Sequence, residues 1–180
     1  MPAILPLAEF GERIVILGPS NAGKSTLAEA ISGATGLPAI HLDRFRFLEN
    51  SDWQERPDEE FKRLHDEAVA SARWVMEGNY SKLYPTRFAR ATGAIVLWDN
   101  RWRRMGRYLL RTFGFKPRAG MLEGGRDSLK WSMVKWVFIV SARRPQRYPE
   151  TARSIGVPMV YCRSARELNA LYDAWALTRP

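Results

Sequence analysis

The chain has 180 residues, 46% of them hydrophobic, which suits one compact domain with its own core. No apolar run approaches the ~20 residues of a membrane span, Cys162 is the only cysteine, and two histidines far from it make no zinc pattern. These features exclude an integral membrane helix, an internal disulfide and a zinc module, and they leave a strongly basic protein of formal net charge +9.

The opening Met-Pro-Ala-Ile-Leu-Pro-Leu lacks a basic start, and Glu9 and Glu12 follow it. It does not read as a secretory signal, and the lone cysteine agrees with a reducing compartment, so the expected location is the cytoplasm. Arg-Ile-Val-Ile-Leu at 13–17 is a short apolar run of the kind found in a buried parallel strand.

Directly after it stand Gly18, Pro19, Ser20, Asn21, Ala22, Gly23, Lys24 and Ser25, with Thr26 next. This is the phosphate-loop pattern G-x-x-x-x-G-K-[ST]. Each residue type answers a demand of a bound triphosphate. The glycines let the backbone curl so that its N–H groups point inward. Lys24 places a compact positive charge on the β- and γ-phosphates, and the Ser25 hydroxyl takes one position on Mg²⁺. A helix beginning near Gly23 adds its dipole under the anion, with Gly33 as its expected stop. ATP and Mg²⁺ are therefore the expected cofactors.

Residues 39–42 read as a short second strand and 57–72 as a helix, with Phe61, Leu64 and Ala68 at helical spacing and Pro57 in its first turn. Residues 74–77 form a short strand ending at Gly78. A short helix ends at 87–91. Residues 94–98 are a convincing strand, 101–113 a helix, and 114–125 a loop with Pro117, Gly120 and Gly124, long enough to suggest a job. Helices are expected at 127–140 and 145–154, and a last strand at 157–161. Ser164 caps a final helix reaching about Ala176, with Glu167 completing a capping box.

Strands alternating with helices imply a parallel sheet covered on both faces, with ligands gathered at the carboxyl ends of its strands. That directs attention to Asp43, to Glu77, Gly78, Asn79 and Tyr80, to 98–101 and to Arg163. Glu77, Gly78, Asn79 and Tyr80 are expected to hold the acceptor: Gly78 lets a backbone approach a substrate closely, while Asn79 and Tyr80 offer hydrogen bonds and a stacking face. Trp53 is the best aromatic for stacking on a substrate, although packing is the favoured role. His41 and His65 have no partner pattern and default to core or surface. Neither Asp-x-x-Gly nor Asn-Lys-x-Asp occurs, which argues against a GTPase switch.

His41-Leu-Asp43, Trp53 with Arg56-Pro57, Trp74-Val-Met-Glu-Gly-Asn-Tyr-Ser81, Arg87, Ile95-Val-Leu97, Arg101-Trp102 and Lys135-Trp136 occur in an order that resembles small bacterial P-loop proteins. These are labelled DNA topology modulation proteins and are related to adenylate kinase. The resemblance runs from about residue 12 to 175. It implies an α/β three-layer sandwich of the P-loop NTPase type: a five-stranded parallel sheet with helices on both faces. It also implies a substrate-binding segment after the second strand and a short, arginine-bearing helical lid at about 113–145. The whole chain, 1–180, is then one nucleoside-triphosphate-binding domain.

The resemblance also implies roles. Asp43 corresponds to an Asp that holds Mg²⁺ through water or accepts the proton of an attacking hydroxyl. Arg87 matches an arginine used on the acceptor's phosphate. Relatives end the fourth strand with Asp, whereas here Trp98 takes that position. Either Asp99 reaches the magnesium shell from one residue later, or that carboxylate is missing. Arg107 and Arg111, four apart on one helical face, correspond to arginines that stabilise the transferring phosphoryl group or bind ATP. Arg143 and Arg144 are candidates to close over the nucleotide.

The expected function is an ATP-dependent phosphotransfer to a small acceptor, with a nucleoside monophosphate among the candidates. Residues 101–153 carry fourteen Lys/Arg against three acids. This block supports an alternative, a nucleotide-regulated nucleic-acid-binding protein.

Overall fold

A computed structural model of the chain describes residues 4–51, 53–112 and 147–180, with only the backbone for Tyr108, Arg111 and Thr112. Five strands, β1 (Arg13–Leu17), β2 (Ala39–His41), β3 (Trp74–Glu77), β4 (Gly93–Leu97) and β5 (Met159–Cys162), form one sheet in the order β2-β3-β1-β4-β5. Every pairing is parallel.

The strands bury both faces, and their period of two divides the core. Ile14, Ile16, Val75, Ile95 and Leu97 point to one side, where helix α1 (Lys24–Thr35) and the C-terminal helix pack. Val15, Leu17, Trp74, Met76, Ala94 and Val96 point to the other, which is covered by Val69 of helix α3 (Asp58–Ala70) and by Ala152. Fully burying a Val, Leu or Ile contributes on the order of 1.5–3 kcal/mol. A one-residue slip of β1 would exchange its two faces, so the register is firmly held.

Several boundaries differ from expectation for identifiable reasons. Helix α1 passes Gly33, whose added Cβ would meet nothing, and stops where Gly36 turns left-handed (φ 71°) and donates to the Ser32 carbonyl. Strand β2 ends at His41, because Leu42 is fully buried as the first residue of a short helix α2 (Leu42–Arg46). Strand β4 begins at Gly93 and ends at Leu97, and the Trp98 N–H bonds the Cys162 carbonyl.

A short helix α4 (Tyr84–Phe88) follows β3, and α5 (Arg101–Thr112) follows β4. Helix α6 (Arg147–Arg153) precedes β5. Helix α7 (Ala165–Ala174) is capped as expected: Ser164 Oγ accepts from the Glu167 N–H. The Glu167 carboxylate returns to the N–H of Arg163, one residue before the cap. The expected loop at 114–125, the helix at 127–140, the lid at 113–145 and the residues Arg143 and Arg144 lie outside the described residues. Among the described residues no helix is long and apolar enough to cross a membrane.

Candidate active site

The phosphate loop leaves β1 at the middle of the sheet, between β3 and β4. Gly18 has φ 143°, and a Cβ there would lie 2.2 Å from the Leu97 carbonyl oxygen, so only glycine allows the chain to cross β4. Gly23, left-handed at φ 96°, starts helix α1 at Lys24. The first-turn N–H groups of α1 are thus left without intrahelical partners at the end of the loop, as anion binding needs. Lys24 Nζ donates to the Pro19 carbonyl at 3.2 Å, folded over the loop it is expected to serve.

The parallel register sets Ile16 and His41 on either side of Glu77. Glu77 therefore sits at the carboxyl edge, next to the loop. Ser25 Oγ donates to Glu77 Oε1 at 3.0 Å. The same oxygen is 3.0 Å from His41 Nδ1, and His41 Nε2 is 2.8 Å from Glu29 Oε1. Glu29, His41, Glu77 and Ser25 thus form one hydrogen-bonded chain from α1 across the sheet edge to the phosphate loop.

His41 and Glu77 are 3% and 4% exposed, so their charges are strongly coupled. Burial opposes ionisation of Glu77, but the His41 hydrogen bond and the charges of Lys24 and His41 outweigh it. They hold the carboxyl well below the usual range. Burial likewise lowers His41, and the two carboxylates overcome that and raise it. Both ring nitrogens face carboxylate oxygens, an arrangement that favours the protonated imidazole and accounts for the upward shift.

A hydroxyl and a carboxylate side by side are hard oxygen donors. This suits Mg²⁺, which is held through one or two protein oxygens with the remainder from water and phosphate. The carboxylate that meets Ser25 is Glu77, expected from the sequence to hold the acceptor. Asp99, read from the sequence as either a magnesium-shell carboxylate one residue late or no substitute for it, pairs through Oδ2 with Arg107 in this structure. It is 4% exposed, and Oδ1 accepts from the Asn100 N–H at 2.8 Å. The reason is local: β4 has ended by Leu97, so strand alternation no longer aims the side chain of residue 99.

The other expected residues divide between ligand-facing and supporting positions. Arg107 reaches the phosphate loop, donating to the Asn21 carbonyl at 3.0 Å. On the same helix Arg104 is buried with its guanidinium 5.7 Å from the Trp98 ring centre, while Arg101 and Arg103 are exposed. The Arg111 side chain lies outside the described residues. Asn79 grips the loop instead of an open site: its Nδ2 donates to the Gly18 carbonyl at 2.9 Å and its Oδ1 accepts from the Gly18 N–H at 3.3 Å. Gly78, at φ 129°, lets the chain pass Leu42, whose Cβ would lie 2.9 Å from an added Cβ.

Tyr80 donates to Asp43 Oδ1 at 2.6 Å. Burial first, then the charge of Asp43, pushes the phenol upward, so it remains a donor. Asp43 lies in the first turn of α2, two residues past β2, at the carboxyl edge that Glu77 also occupies. Arg87 is fully buried and donates to the Gly78 carbonyl at 2.8 Å. In this structure it braces the Glu77–Tyr80 turn from within the core. Trp53 packs edge-on against Phe47, the structural role favoured for it.

Sequence reasoning missed His41 and Glu29. His41 is adjacent to Glu77 only through β2–β3 pairing, and Glu29 only through the docking of α1. The one sequence signal was that His41 ends an apolar run just before Asp43.

The same architecture occurs in solved enzymes. A gluconokinase from Sinorhizobium meliloti aligns over 93% of this chain and 91% of its own, with 21% identity and a TM-score of 0.52. A shikimate kinase from Acinetobacter baumannii, solved with shikimate, aligns over 93% and 95%, with 14% identity and a TM-score of 0.57. The fold is that of the P-loop kinases. At these identities the likeness is one of fold alone. No family model matches the chain, and no curated protein matches it by sequence.

Proposed function

We propose that the chain is an ATP-dependent phosphotransferase, moving the γ-phosphoryl group of ATP·Mg²⁺ to a small acceptor. The observation that carries this reading is the Ser25–Glu77 contact at the mouth of a glycine-cradled phosphate loop. It joins an anion cradle to a pair of hard oxygen ligands at the carboxyl edge of a kinase-type sheet. The likeness to small-molecule kinases supports it. So does the resemblance to the adenylate-kinase relatives labelled DNA topology modulation proteins, a label that names no reaction.

In this reading Gly18–Thr26 binds the triphosphate and Lys24 turns from Pro19 to the β- and γ-phosphates. Ser25 and Glu77 hold Mg²⁺, which neutralises charge on those oxygens when bound. Asp43, oriented by Tyr80, receives the acceptor's proton. Arg107, already at Asn21, supports the charge that develops on the transferring group, with Arg111, Arg143 and Arg144 as further candidates.

The test is an acceptor screen with ATP and Mg²⁺, combined with titration of a non-hydrolysable ATP analogue into wild type and Lys24→Ala. Losing one charged hydrogen bond, about 1.5–3 kcal/mol, weakens analogue binding by about 10- to 100-fold in a variant that remains folded. Unchanged affinity in Lys24→Ala refutes the reading.

A further inference from the structure

The chain between β2 and the first turn of α3 walls the site beside Asp43, and its charge runs against that of the molecule. Residues 42–60 carry seven Asp/Glu against three Arg in a protein of net charge +9. Two of those arginines are engaged by carboxylates. Arg46 pairs with Glu55 and, at 2.6 Å, with Asp58. Arg56 pairs with Glu60 at 2.6 Å and donates through Nε to the Phe45 carbonyl at 2.9 Å. Arg44 is exposed. Beyond this segment, Arg87 is turned onto the Gly78 carbonyl with no exposed surface. The nearby rings are also occupied with one another: Phe47 with Trp53, Phe61 with Tyr80.

Recognition of a phosphate-bearing acceptor needs arginine forks directed at its oxygens, and a nucleotide base needs an aromatic or arginine face. Among the described residues of this wall Arg46 and Arg56 are committed to carboxylates and the rings to one another, and the segment that carries Asp43 has an excess of acids. We infer that the acceptor is a small hydroxyl compound bearing no phosphate of its own, an inference that rests on the phosphotransferase reading above.

The chemistry agrees with that choice. The acceptor oxygen bonds to the γ-phosphorus, and the bond from that phosphorus to the β,γ-bridging oxygen breaks, its electron pair leaving with ADP. The hydroxyl proton passes to the Asp43 carboxylate. A hydroxyl needs this acceptor for its proton. An ionised phosphate does not, and would bring its charge against Asp43.

The discriminating probe is a set of dinucleoside pentaphosphates, with adenosine at one end and each common nucleoside at the other. Such molecules occupy donor and acceptor sites together wherever the acceptor is a nucleotide, which typically raises affinity by about 10²- to 10⁴-fold over one site alone. Calorimetric titration of the full chain with Mg²⁺ is expected to give each an affinity within about threefold of that for ATP, since only the donor end is recognised. Any member binding about a hundredfold more tightly than ATP overturns the inference. Lys24→Ala, run in parallel, separates the two readings. If ATP binds this variant as well as it binds wild type, the phosphotransferase reading fails. Tight pentaphosphate capture that still depends on Lys24 defeats only the choice of a hydroxyl acceptor.

Discussion

Replacing His41 with alanine tests the chain of hydrogen bonds that joins Glu29 to Ser25. His41 is 3% exposed and Glu77 4%, so the substitution leaves a buried carboxylate without its main partner. Breaking a buried pair from one side typically costs about 3–5 kcal/mol. Ser25 still donates to Glu77, and Lys24 still acts on it, so the lower end applies, about 3 kcal/mol. With a urea m-value near 2 kcal/mol/M, the midpoint of unfolding of the ligand-free protein falls by about 1.5 M at neutral pH.

The pH dependence carries a second signature. The folded pKa of His41 is raised above 6.5, so its contribution is complete below pH 6.5 and is lost as pH rises through the folded value. The folded pKa of Glu77 is lowered below 4.5, so its contribution is complete above pH 4.5 and is lost as pH falls through the folded value. The pair therefore contributes most between the two, and His41→Ala removes the decline on the alkaline side. A midpoint within about 0.3 M of wild type, with the alkaline decline intact, refutes the reasoning.

Gly18→Ala places a methyl group 2.2 Å from the Leu97 carbonyl oxygen at φ 143°, so the loop must shift. The expected result is loss of ATP-analogue binding together with destabilisation of at least about 2 kcal/mol, measured by calorimetry and urea unfolding. Ser164→Ala removes the cap that accepts from the Glu167 N–H and costs about 1 kcal/mol in urea unfolding, with ATP affinity unchanged. Burial pushes the Cys162 thiol up to about 12. Native protein is expected to resist a disulfide-exchange reagent at pH 8 and to react with one equivalent after unfolding.

The local structure of the phosphate-loop end was legible in the sequence. A β-strand run, a glycine pattern and a helix-forming stretch are contiguous, so Arg13–Leu17, the loop and α1 are specified by neighbouring residues alone. The same holds for β3 and for the Ser164 cap. The alternation of apolar runs with helical stretches also anticipated the parallel sheet. Errors fell at element boundaries: Leu42 leaves the strand and is buried as the first residue of a helix, and α1 passes Gly33 to end at Gly36, the glycine that turns left-handed.

The partners of buried charge were decided only by tertiary structure. Glu77 meets Ser25 across 52 residues and His41 across 36, and Asn79 meets Gly18 across 61. No local pattern encodes such contacts, because they depend on which strands become neighbours and in what register. Sheet order brought Glu77 to the phosphate loop, and the end of β4 left Asp99 to Arg107. Residue types along the chain determined that a glycine-rich phosphate-loop pattern follows β1, whereas the folded sheet determined which carboxylate lies beside it, since electrostatic coupling follows distance in space and burial.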